Sequence, residues 1–290
     1  MTPLCDAHNH FQDAWFAPHR DQICADLLAA GVREMVVNGT SESDWPDVAA
    51  LCANAPLSPL NSQLTLLPSF GLHPWDAGNR TSDWQATLLA SLAAHPRGAI
   101  GEIGLDRWIL DRARPDDARL AGLRRAPLDE QVDVFRWQLA LAAERNLPAS
   151  IHCLDAFGPL LDVLRSAALP ARGFLLHAYS GPTEMVAGFT KLGAYFSFNG
   201  AFLEPRKERL RAVYATIPID RLLVETDAPA MRLPPTLEIF PPLPTPEHSF
   251  ANHPANLAAT YAALADLRRV SLDELAATVA NNFHRLFSIP

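Results

Sequence analysis

Cysteine is scarce in this chain: Cys5, Cys24, Cys52 and Cys153 are the four among 290 residues. They make no C-x-x-C pair and no spacing of a disulfide-stapled secreted scaffold, which points to a reducing compartment. Basic excess is also missing. Lys and Arg number 24 against 32 Asp and Glu, a formal net charge of −8, so no global basic field draws in duplex nucleic acid. That argues against a broad-footprint DNA binder, though not against an enzyme that holds one phosphate through metal ions. No segment reaches the length of a membrane span, and no apolar run of signal-peptide type precedes Asp6. The expectation is a soluble, cytoplasmic protein with no membrane partner and no obligate protein partner. Internal repeats and low-complexity tails are absent. The remainder is ordinary: 49% hydrophobic and 19% charged residues suit a sizeable core.

The first strand organises the rest. In Leu4-Cys5-Asp6-Ala7-His8-Asn9-His10, two histidines one residue apart share a face only on an extended strand, where side chains alternate. Two imidazoles arriving together at a strand end make half of a metal site. Candidates for the other half recur at the ends of later apolar runs: Glu102, His152, His177 and Asp227. Strand-length runs are read at 4–10, 33–38, 64–72, 98–103, 148–152, 173–177, 194–198 and 221–225. Helical patterns fall between them, among them 19–30, 43–53, 155–167, 183–191 and 205–216. A capping box of Ser82 and Gln85 is expected to open a helix through Trp84, Leu88 and Leu92. Pro127 opens another, with an apolar face of Leu128, Val132, Phe135, Leu139 and Ala142. Two helices close the chain at 254–267 and 271–287, the second with a Ser271/Glu274 capping box. Residues 107–127 read as a long loop with room for a short helix, on the same side as the strand ends, and 229–254 as a proline-rich loop.

Eight strands alternating with helices predict a single (β/α)8 TIM-type barrel spanning 1–290, with an open doubly wound sheet as the rival. The polar residues favour the barrel, in which C-terminal strand ends converge on one face. Four imidazoles and two carboxylates exceed what one catalytic zinc takes from a protein. The surplus suggests two divalent metal ions. Imidazole-rich ligation favours Zn, Mn, Fe or Co over Mg.

The residues resemble the TatD-type metal-dependent deoxyribonucleases of the amidohydrolase superfamily. The pieces that carry the resemblance run in order along nearly the whole chain. They are Asp6-Ala7-His8-Asn9-His10, Gly71-Leu72-His73-Pro74, Gly101-Glu102-Ile103-Gly104-Leu105-Asp106, Ile151-His152, His177-Ala178-Tyr179-Ser180-Gly181 and Glu225-Thr226-Asp227-Ala228-Pro229, followed by Pro254-Ala255-Asn256-Leu257 and Asn281-Asn282-Phe283-His284-Arg285-Leu286-Phe287. The resemblance implies a barrel that hydrolyses phosphodiesters in DNA or short oligonucleotides from an end. It makes His8, His10, Glu102, His152, His177 and Asp227 the metal ligands. Glu102 becomes the bridging carboxylate, and Asp227 also orients or deprotonates the attacking water. His73 falls where the family has a histidine near the substrate, and is assigned to phosphate contact.

Three departures from the pattern stand out. Leu154 replaces an arginine, Arg107-Trp108 opens the 107–127 segment where a tyrosine is common, and His253 replaces a glutamate before Pro254. Arg112, Arg114, Arg119, Arg124 and Arg125 are expected to offset the lost arginine by reaching phosphate from the loop. Glu225 is read as a support for the ligands or a simple ion pair, and Asp6 as orienting a ligand or pairing with an arginine. Asp106 is read as a cap. Trp75 and Trp108 are read as rim packing, with base stacking the alternative. His19, His95, His248, His253 and His284 are read as structural or surface residues. Two rivals to the nuclease remain. One is a small-molecule hydrolase of amides, lactones or phosphoesters on the same barrel; the other is a non-catalytic metal or nucleic-acid binding protein.

Overall fold

A computed structural model describes residues 2–53, 63–244 and 250–288. Eight strands belong to one sheet in the order β1-β2-β3-β4-β5-β6-β7-β8. They are β1 (Leu4–Asn9), β2 (Val32–Asn38), β3 (Thr65–Phe70), β4 (Ala99–Asp106), β5 (Ala149–Leu154), β6 (Phe174–Leu176), β7 (Ala194–Asn199) and β8 (Leu222–Glu225). Between and after them come helices α1 (Arg20–Ala29), α2 (Trp45–Ala53), α3 (Trp84–Ala94), α4 (Trp108–Asp111), α5 (Leu128–Arg145), α6 (Phe157–Ser166), α7 (Thr183–Lys191), α8 (Glu208–Thr216), α9 (Leu257–Arg268) and α10 (Leu272–Phe287). The pairs β1–β2, β3–β4, β4–β5, β5–β6 and β7–β8 are parallel. This is the strand order of a (β/α)8 TIM-type barrel, the fold class that the alternation predicts. Among the described residues no helix is long and apolar enough to cross a membrane.

By packing, the chain divides into two compact units, one of Met1–Val37, Ala50–Leu67 and Phe196–Ser288, the other of Asn38–Ala49, Pro68–Tyr195 and Ile289–Pro290. In the first, every residue of β1 and β8 is buried, as expected of strands covered on both faces. β1 lies beside β8, and the Asp227 amide donates to His8 O at 3.0 Å while the His10 amide donates to Ala228 O at 2.8 Å. Helix α10 packs on both strands through Leu275, Val279, Phe283 and Leu286. Its Asn282 donates to the carbonyls of Ile219 and Leu222, both at 2.9 Å. The Ser271 cap forms as expected, its hydroxyl accepting from the Glu274 amide at 3.2 Å.

In the second unit β4 pairs with β3 and β5, and β5 with β6. Gly71 and Gly101 permit a close approach of backbone. A Cβ on Gly71 would stand 2.7 Å from the Gly101 carbonyl carbon, and one on Gly101 would stand 2.8 Å from Ser69 Oγ and Ser150 Cβ. Only glycine fits there. Helix α5 packs on β4, and its buried face keeps Phe135, Leu139 and Ala142 of the apolar face expected but adds residues outside it. Gln131, Phe135, Gln138, Leu139 and Ala142 are buried, while Leu128 and Val132 are half-buried.

Two local expectations change. The Ser82/Gln85 capping box does not form; Asp83 is the N-cap and makes no side-chain cap, while Ser82 Oγ donates to Asp83 Oδ1. The 107–127 segment holds the short helix allowed for it, α4, and a 3-10 turn at Ala118–Leu120. The proline-rich stretch carries a two-stranded antiparallel ribbon, β9 (Leu243–Pro244) with β10 (Phe250–Ala251). His248 lies outside the described residues.

Candidate functional site

In the first unit the structure brings His8, His10 and Asp227 together. His8 Nε2 stands 3.6 Å and His10 Nε2 3.4 Å from Asp227 Oδ1. Two ligands about 2.1 Å from one ion stand ~3.4 Å apart at a tetrahedral angle and ~3.0 Å apart at a right angle. The donor set and its spacing therefore fit a divalent ion. Asp227 follows β8 with φ 52°, in the left-handed region, a conformation that non-glycine residues adopt mainly at constrained positions. Its neighbours hold it there. Thr226 is fixed by Asp6, whose carboxylate accepts from the Thr226 amide at 3.0 Å and hydroxyl at 2.6 Å. Asp6 also accepts from the His8 amide at 3.3 Å, so it ties the backbone of both ligand-bearing strands. Burial raises the Asp6 carboxyl to about 8 against these hydrogen bonds. Glu225, two residues before Asp227, turns to β7 instead, bonding Ser197 and Asn199.

In the second unit the structure gathers Glu102, His152, His177 and His73. Glu102 Oε1 lies 3.0 Å from His152 Nδ1, 2.8 Å from His177 Nε2 and 3.4 Å from His73 Nε2. The facing nitrogens of His152 and His177 are 3.3 Å apart. Glu102, His152 and His177 thus form a triangle whose edges again match ligands sharing an ion. Glu102 is carried by β4 and His152 by β5; His177 comes directly after β6. His73 follows β3, and its Nδ1 accepts from the Trp75 amide at 3.2 Å.

Asp106, at the end of β4, does more than the capping expected of it. Its Oδ1 accepts from the Ile109 amide at 3.1 Å, which is the cap. Its Oδ2 faces His152 Nε2 at 3.0 Å and accepts from Trp75 Nε1 at 2.6 Å. A carboxylate on the far nitrogen fixes a ligating imidazole's tautomer and rotation. Burial disfavours a charged His152, yet Asp106 and Glu102 overcome it and lift its pKa to about 9. Burial likewise opposes ionisation of Asp106, but His152 and Trp75 hold that carboxyl below its usual range. At His73 burial prevails over Glu102, and the pKa is lowered. The sequence carried one sign of the Asp106 role: Asp106 lies on the same strand as Glu102, at an even spacing.

The arginines of 107–127 are placed differently from expectation. Arg124 makes a double pair with Glu130, which Arg80 also contacts. Arg125 donates to the carbonyls of Ile109, Ala113 and Arg114, and Arg112 faces Asp155 at 3.2 Å. Arg119 pairs with Asp117 and lies over Trp108, 4.7 Å from the ring centre. Leu154, in the place of an arginine, ends β5. His253, in the place of a glutamate, accepts from the Ala255 amide and so caps the turn at Pro254–Asn256, with Asp26 at 3.3 Å from its other nitrogen.

The TatD related DNase family matches residues 5–288. The chain belongs to that family. Relatives within it differ in what is known of them. The chain is 31% identical over 287 residues to the uncharacterized metal-dependent hydrolase YjjV of Escherichia coli, covering 98% of each chain. It is 32% identical over 279 residues to the 3'-5' ssDNA/RNA exonuclease TatD of Escherichia fergusonii, covering 94% of this chain and 95% of the relative. The crystal structure of YjjV superposes with a TM-score of 0.80 at 29% identity, covering 99% of this chain and 98% of that one. As a TatD-family protein the chain is a metal-dependent hydrolase with candidate His, Glu and Asp metal groups.

Proposed function

We propose that the chain is a divalent-metal-dependent phosphodiesterase that shortens single-stranded DNA or short oligonucleotides from one end. The observation that carries this reading is the pair of ligand clusters, His8 with His10 and Asp227, and Glu102 with His152 and His177, at ion-sharing separations. The relatives named as ssDNA/RNA exonucleases support the substrate class. Each cluster would hold one ion, Zn, Mn, Fe or Co by its nitrogen-rich donors, with Mg admitted by the carboxylates. Such ions, when bound, polarise a phosphoryl oxygen, acidify water and steady the leaving oxygen.

The chain's own residues do the rest. His8 and His10 hold their nitrogens toward Asp227, and Asp227 takes the proton of the attacking water as general base. Asp106 keeps His152 turned so that Nδ1, not Nε2, faces Glu102 and His177. Glu102 would be a metal-holding carboxylate, a role that the family resemblance gives it. His73, held beside Glu102, contacts the substrate phosphate. The acidic chain suits a substrate gripped locally by metals rather than one wrapped along a basic groove. The test is cleavage of end-labelled single-stranded DNA with Mn or Mg, with Asp227→Ala and His177→Ala as controls. A ladder shortening from one end, absent in both variants, supports the reading. Intact DNA overturns it.

A second reading, a hydrolase of small amides, lactones or phosphoesters, is favoured by one observation. Arg124 and Arg125 are spent on Glu130 and on carbonyl groups, and Leu154 offers no charge to a phosphate. Turnover of such compounds with intact DNA would select it.

A further inference from the structure

We propose that Trp75 and Trp108, with Arg119 over them, form a ring-binding wall that stacks a nucleobase of the substrate beside the Glu102–His152–His177 cluster. The proposal rests on the nucleic-acid reading above and names a subsite for it. The two indoles lie nearly parallel, 22° between planes and 6.0 Å between centres. Both are half-buried. They differ in this from Trp45 and Trp84, which are buried; Trp45 is hydrogen-bonded to the Gly71 carbonyl. A flat indole pair left part-open serves a flat ligand as readily as it serves packing.

Its location links it to the chemistry. Trp75 Nε1 donates to Asp106 Oδ2, and the same oxygen faces His152 Nε2 at 3.0 Å. The Trp75 ring also meets the His73 ring edge-on at 5.7 Å. One carboxylate therefore separates the wall from a candidate metal ligand, and a base on the indoles places its own phosphate beside the cluster.

The wall is also built to hold still. Trp108 opens α4, which Asp106 caps through the Ile109 amide. Arg125 pins the same segment through the carbonyls of Ile109 and Ala113, at 3.0 and 3.1 Å. Arg119 is held by both oxygens of Asp117, at 3.0 and 2.7 Å. Its side chain is 61% exposed, and its guanidinium carbon lies 4.7 Å from the Trp108 ring centre and 5.9 Å from that of Trp75. A cation stacked on indole and open to solvent complements a base on one side and its phosphate on the other. Stacking of this kind accepts any base, and its loss costs about five- to a hundredfold in affinity.

The test compares an end-labelled single-stranded oligonucleotide with the same strand lacking the base at the cleaved end. For the unaltered enzyme the abasic strand should raise KM about tenfold or more, with kcat within about twofold. Trp108→Ala should show the same rise on the complete strand and no further loss on the abasic one, and Trp108→Phe should restore most of it. Equal KM for the two strands in the unaltered enzyme, or equal losses on both in Trp108→Ala, would overturn the wall while leaving the nuclease intact. If DNA is not cleaved at all, the functional reading fails separately. Tryptophan quenching by thymidine 5'-phosphate against 2-deoxyribose 5-phosphate then decides the wall. Preference for the nucleotide that Trp108→Ala abolishes supports it, and equal binding overturns it.

Discussion

Asp106 shows how one side chain can serve two purposes that a sequence presents as one. Its Oδ1 accepts from the Ile109 amide in α4, a capping role its position at the end of β4 suggests, while its Oδ2 takes His152 and Trp75. Asp106→Asn keeps the cap but loses the charge that orients His152. Affinity for Zn or Mn at the Glu102 cluster should fall about 10- to 100-fold, read by calorimetry; unchanged affinity would contradict the role. Most candidate ligands were legible because His10, His177 and Asp227 stand just past strand ends and His8 and His152 near them, where chemistry needs a polar residue and a core does not. Glu102 instead lies midway along β4, which runs on to Asp106 beyond the end expected at Ile103. Contacts such as Asp106 to Trp75, between residues 31 apart, were not, since no spacing along the chain encodes them. Glu130 gives a second prediction at this scale. Arg124, then Arg80, hold its carboxyl down to about 2. A depressed folded pKa means stabilisation that is complete above the unfolded value of about 4.3 and lost as pH falls toward 2. Glu130→Gln should cost at most about 1 kcal/mol at pH 7, because the Arg124 partner is exposed. Urea midpoints of the two proteins should converge as pH drops from 4.3 to 2, and a gap constant with pH would count against the pairing.

At the scale of elements, α5 is the instructive case. Its apolar residues suggest a face through Leu128, Val132, Phe135, Leu139 and Ala142; the last three are buried, and two glutamines, Gln131 and Gln138, face inward beside them. Gln131 accepts from the Asp106 amide at 2.8 Å and donates to the carbonyls of Asp106 and Ala126, both at 3.0 Å. Gln138 accepts from the Leu72 amide at 2.7 Å and donates back to its carbonyl at 3.1 Å. Apolar periodicity does not register Gln131 and Gln138, because these buried side chains are polar and serve backbone groups far away in the chain. Gln131→Leu fills the space but strands three buried backbone groups, a loss of about 2–4 kcal/mol. Urea unfolding checks this; a variant as stable as the parent would show that the groups find other partners. The β9–β10 ribbon was hidden for a different reason. Each strand has two residues, too few for a period to register, within a stretch dominated by proline. By contrast α7 spans Thr183–Lys191 as expected, because Pro182 and Gly193 bracket one amphipathic run.

At the scale of the whole molecule, the order of eight strands and their helices was legible from alternation alone, since each strand is a short apolar run with a helical pattern behind it. The substrate was not, because fold and metal ligands are shared across hydrolases of many bonds. The proposed chemistry depends on the two ligand clusters. Metal counting tests them most directly: elemental analysis and calorimetry of the purified protein loaded with Mn or Zn, beside His10→Ala and His152→Ala. Two ions per chain are expected in the parent and one in each variant, the surviving site differing between them. A parent that binds no ion, or variants that still bind two, would contradict the two-cluster reading.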